Sequence, residues 1–183
     1  MGEGLEFSAA DYGTAVAELL DLGGGGKRPM RLVPAGPESR STVSRLKTFD
    51  ARTLFPAARA PEGAMAGLFL YFSALDEAHS IAQDLKTPDG SYWHGIMHRQ
   101  EPDPFNAGYW FRRAGAHPVF PELNRQARSL GFDSGRDWNP FQFVEFCEQA
   151  RRRPGSDEEN LAMRVQLVEW QLLFDYCAEA KKA

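Results

Sequence analysis

Apolar residues recur along this chain at intervals of three and four and hardly anywhere alternate, so the pattern predicts an all-α fold without a convincing strand. Punctuation residues divide it into an irregular bundle of about seven helices. Ser8 caps a first helix that runs to Leu22 and stops at Gly23 to Gly26. The segment 27–41, with three prolines, reads as a surface loop or arm, part of a Pro/Gly-rich stretch at about 23–41, followed by a short helical piece near 42–49. Pro61 opens a long helix to Leu85, whose stripe Met65, Leu68, Phe72, Leu75, His79, Ala82 keeps the helical rhythm and sets His79 on the apolar side.

The turn at 87–90 leads into a helix carrying SYWHGIMHRQEPD, which Pro102 ends. Asp103 and Pro104 form a cap and first position for the next, which lasts to Gly115. His117 and Pro118 open another, closed by Gly131, and Asn139 with Pro140 repeats the cap-then-proline device. The last helix starts from a capping box, Ser156 with Glu159, and runs to the end along Leu161, Val165, Val168, Leu172 and Tyr176. No solenoid period is present, and residues 1–183 read as a single helical domain.

Charge narrows the functional classes. The net charge of −4 offers no general attraction to nucleic acid or anionic lipid, so neither is an expected partner. The longest apolar run, residues 64–75, is too short for a bilayer, and the acidic N-terminus lacks a secretory or myristoylation pattern. Cys147 and Cys177 have no CxxC spacing and read as reduced core thiols, which together with these features points to a cytoplasmic protein.

Within 91–103, His94, His98 and Glu101 fall within roughly 60° of helical arc. A short connection makes the preceding helix an antiparallel neighbour, and a turn centred between Pro88 and Asp89 sets His79 level with His98 and Asp76 level with Glu101. His79, His94 and His98 with Glu101 or Asp76 form a candidate donor set for a divalent metal of the zinc, nickel or iron type. The spacing HxxxHRQE differs from the HExxH of zinc proteases, because no glutamate stands between the histidines. The competing structural reading has each imidazole bonded to a carboxylate or carbonyl inside the core.

The next stretch, 101–113, sets Asn106, Trp110 and Arg113 on one helical face and Phe105, Tyr109 and Arg112 on another. Guanidinium groups beside rings suit a carboxylate or phosphate with an apolar body; the alternative is dipole-complementing arginines beside core aromatics. Two other motifs fail. GGGGK at 23–27 lacks the first glycine and final hydroxyl of a phosphate loop, and RRRPG at 151–155 is followed at once by acidic residues. There is no GxSxG elbow or dinucleotide fingerprint.

The pattern from Trp93 to Asp103, continued by Asn106 and Tyr109 to Arg113, resembles a family of uncharacterised bacterial and fungal proteins that has no assigned reaction. The resemblance covers about a fifth of the chain and implies a compact domain organised about this motif, without a mechanism. The expectation is therefore a pocket of His79, His94, His98, Glu101, Asn106, Trp110, Arg112 and Arg113 that binds a small anionic or metal-chelating molecule. The rivals are a metal-dependent hydrolase using the histidines with Glu101 or Asp76, and a scaffold working through the 27–41 segment or an aromatic surface.

Overall fold

Helices α4 (Pro61–Tyr71) and α6 (Pro88–Gln100) form the middle of the molecule, each buried at nearly every position. The computed structural model describes residues 6–180. Among these it contains ten α-helices, a 3₁₀ turn (Ala9–Tyr12) and no strand, only an isolated bridge between Ala58 and Ala180. The other helices are α1 (Thr14–Asp21), α2 (Arg40–Leu46), α3 (Ala51–Leu54), α5 (Leu75–Ala82), α7 (Pro104–Ala114), α8 (Phe120–Leu130), α9 (Pro140–Ala150) and α10 (Asp157–Ala178). No helix among the described residues is long and apolar enough to cross a membrane.

Ten α-helices stand where about seven were expected, because the short piece near 42–49 is a helix of its own, α3 is added and one expected helix is broken. The 61–85 helix is two. α4 ends where Ser73 takes a left-handed φ of 58°, with Ser73 N–H donating to Leu70 O and Ala74 N–H to Phe69 O. This is the paired hydrogen-bond pattern that glycine ordinarily supplies at a helix end, built here on serine, so no glycine announces it. The first helix is also divided, at Gly13 with φ 89°. Asp50, whose side chain accepts from the backbone N–H of Arg52 and Thr53, opens the short α3 that was not anticipated.

Three cap signals are followed closely, but His117 with Pro118 does not open α8, which starts at Phe120 without a side-chain cap. The expected turn at 87–90 is the Thr87 cap and first turn of α6. Asp103 caps α7, Asn139 caps α9 and Ser156 caps α10, each side chain accepting from a first-turn N–H. In the capping box the return bond is displaced by one residue, since Glu159 accepts from Gly155 N–H at 2.6 Å. α10 stops at Ala178, short of the expected run to the end, because Glu179 turns to an extended backbone; residues 181–183 lie outside those described, as do residues 1–5 of the N-terminal reading.

The segment after the glycine turn is not a free arm in its first half. Met30 and Leu32 are buried, and three glutamines hold its backbone: Gln166 Nε2 donates to Met30 O and Arg31 O, Gln100 Nε2 to Arg31 O, and Gln171 Nε2 to Gly26 O. Beneath it lies one contiguous apolar core. Two glycines let its large rings approach. A Cβ on Gly67 would stand 2.8 Å from the Trp93 ring, and one on Gly95 2.8 Å from the Phe111 ring. Trp170 Nε1 reaches Gly67 O at 2.8 Å across the same junction.

The middle of α10 carries an ion pair inside this core. Arg99 of α6 donates to both carboxylate oxygens of Glu169, Tyr92 donates its hydroxyl to Glu169 at 3.0 Å, and Gln166 accepts from Arg99 at 3.2 Å. The guanidinium also lies 4.6 Å from the Phe143 ring centroid. The expected apolar line on α10 is accordingly incomplete, because Gln166 and Glu169 are buried beside Trp170 and Leu173.

Candidate metal centre

α5 and α6 follow one another through the Gln83–Thr87 connection and bring three histidines together. One ring nitrogen from each of His79, His94 and His98 falls within 4.8 Å of the other two. His94 and His98, four residues apart on α6, stack nearly parallel at 5.0 Å, while His79 meets them edge-on at 4.6 and 5.9 Å between centroids. His79 is thus nearer to His94 than the level-by-level estimate from the turn placed it. On a tetrahedral zinc with bonds of 2.0–2.1 Å, ligand nitrogens stand about 3.3 Å apart, a closer spacing than the 4.8 Å limit met by these three.

α7 supplies the roof. Trp110 stacks on His94 with centroids 3.8 Å apart, and Arg113 lies 5.5 Å from the indole centroid on the same helix. At the end of α6, Glu101 Oε2 stands 2.9 Å from His98 Nδ1. The approach is too far off line for a hydrogen bond, leaving an electrostatic contact that orients the ring. His94 Nδ1 is buried with no hydrogen-bond partner among the described residues. Burial, then the neighbouring charges of His79 and His98, lowers the His94 pKa to about 4. A neutral imidazole in a group of three is the state a metal requires.

The remaining candidates lie elsewhere. Asp76, expected level with Glu101, is exposed and borders a different cleft with Lys47 and Glu77; it is not in the triad. Asn106 is engaged by the helix cap, its side chain donating to Asp103 Oδ2 at 2.7 Å. Arg112 leaves the histidines and borders a separate cavity beneath Phe141, so the single pocket foreseen from the sequence is divided by α7. His117 does not reach the triad either: Nε2 pairs with Asp89 at 3.0 Å and Nδ1 accepts from Val119 N–H.

Two groups escaped the sequence reading. Arg99, next to His98, and Glu169 look like solvated charges on their helices, yet both are fully buried. The available signal was that Arg99 follows Tyr92 and Ile96 at seven and three residues, on their face of the helix. The basic run at 151–153, by contrast, is solvated charge as expected, with Arg151 paired to Glu148 and Arg153 to Glu158. No family model, curated protein or solved structure matches this chain.

Proposed function

We propose that this protein binds a divalent transition-metal ion through His79, His94 and His98. The convergence of three ring nitrogens within 4.8 Å carries the reading, supported by the orphaned Nδ1 of His94 and the carboxylate beside His98. Imidazole donors suit zinc, nickel and iron, and the Glu101 carboxylate, 2.9 Å from His98 Nδ1, adds negative charge beside the three rings. Trp110 limits the rotation of His94 and keeps bulk water from one side of the cage.

The test is metal content after tag-free purification and reloading with zinc, followed by calorimetric titration. One equivalent is expected, and His98→Ala is expected to remove it with the fold intact. Substoichiometric metal after reloading, or a His98→Ala variant that loses several kcal/mol of stability and nothing else, makes the triad a structural network. A second reading, hydrolysis at the same ion, is favoured by the donor set: three neutral ligands leave the full double charge to acidify a bound water toward a pKa near 7. Glu101 is then the carboxylate placed to accept a proton, and zinc-dependent cleavage of a p-nitrophenyl ester, lost in Glu101→Gln, is the measurement.

A further inference from the structure

A cavity of about 690 Å³ lies on the other flank of α7, between α8, α9 and the 131–139 loop. Its buried walls are apolar and flat: Phe111, the faces of His117 and Trp138, and Pro140. Three charged side chains stand at its exposed mouth, Arg112, Arg136 and Asp137. Neither arginine has an acidic partner within ion-pair distance among the described residues; ten other arginines and lysines, from Arg28 to Arg153, do, and seven do not. Arg112 instead rests 6.0 Å from the Phe141 ring centroid.

Trp138, only 5% exposed, lines the cavity, and the polar wall groups near it are engaged elsewhere. His117 pairs with Asp89 and accepts from Val119 N–H, and Asn124 is bonded to Ser134 and the carbonyl of Arg136. The interior therefore offers flat apolar surface, and the charge stands at the mouth.

We infer that this cavity binds an aromatic carboxylate, with the carboxyl group at Arg112 and Arg136 and the ring system against Phe111 and Trp138. Two guanidinium groups against one carboxylate at the mouth select an anion, and planar recognition of carboxylate is what guanidinium does best. The volume lies within the range of small-molecule sites, and stacking walls favour a flat body over a flexible chain. The site shares α7 with the histidine triad but none of its ligands, so it stands independently of the metal reading.

Naphthalene-2-carboxylate is the probe, titrated by calorimetry and by the indole N–H resonances of the four tryptophans, with Trp138→Phe assigning its signal. Binding is expected to move the Trp138 resonance and leave those of Trp93 and Trp170 in place. Arg112→Ala and Arg136→Ala should each weaken it by about tenfold, and the neutral naphthalene-2-carboxamide should bind weaker by a similar factor. Unchanged Trp93 and Trp170 signals in the variants confirm that they fold, and His98→Ala should bind the probe normally. No binding at millimolar probe, an amide as good as the acid, or affinity indifferent to both arginines overturns the assignment.

Discussion

The indole of Trp110 and the imidazole of His94 lie face to face, 3.8 Å apart and 9° from parallel, so a side chain of α7 fixes a ring of α6. Replacing Trp110 with leucine keeps an apolar cover but frees the ring to rotate. Zinc affinity in Trp110→Leu is expected to fall on the order of tenfold, with little change in unfolding midpoint, by calorimetry and urea titration.

Glu101 is half outside the fold and touches only His98 in the cluster. Glu101→Gln preserves its shape and removes the charge, and should lower zinc affinity on the order of tenfold while leaving stability within about 0.5 kcal/mol. A stability loss of several kcal/mol with unchanged metal affinity contradicts the orienting role.

Arg99 and Glu169 are a pair whose single disruption leaves a charge stranded in the core. Arg99→Met or Glu169→Gln should each cost about 3–5 kcal/mol, read from urea unfolding. Replacing both by apolar residues together should recover part of that loss, because neither desolvated charge remains.

The depressed pKa of His94 sets the acid response of the metal-free protein. Above about pH 6.5 the ring is neutral in both folded and unfolded chains and contributes no slope. As the pH falls below that, the unfolded chain takes up the proton while the folded one resists until about 4. Stability should therefore drop by on the order of 2 kcal/mol between these values, and His94→Gln should flatten that part of the curve.

Both thiols are buried, and burial pushes the Cys147 pKa up to about 12 and that of Cys177 higher still. At pH 8 the native protein should give no reaction with a thiol-disulfide reagent over minutes, and both cysteines should titrate at once in denaturant. Rapid labelling of native protein would show that α9 or α10 opens locally.

The histidine cluster was legible because helical spacing and a short connection are local facts: His94 and His98 share a face at four residues, and a tight turn had to return α6 along α5. The end of α4 was not, since Ser73 in a left-handed conformation carries no sequence mark that glycine would have provided. Asp76 misled for another reason. The break before α5 changes where that helix runs but not the spacing of Asp76 and His79 within it; Asp76, exposed in its first turn, borders the cleft with Lys47 and Glu77, which only the packing of α5 decides. Arg112 and Arg113 are adjacent in sequence, and only the packing of α9 against α7 assigns one to the cavity and leaves the other over Trp110.

His98 and Arg99 are consecutive, and an α-helix turns through about 100° per residue. When one side chain is aimed at the cage, the other is aimed at α10, where Glu169 is the one acidic group buried among the described residues. Rolling α6 about its axis, or sliding it by a residue, would drag a guanidinium off its sole interior anion. The pair thus works as a detent on the azimuth of α6, and the bearing of both imidazoles is set from the far side of the helix by residues that never touch them.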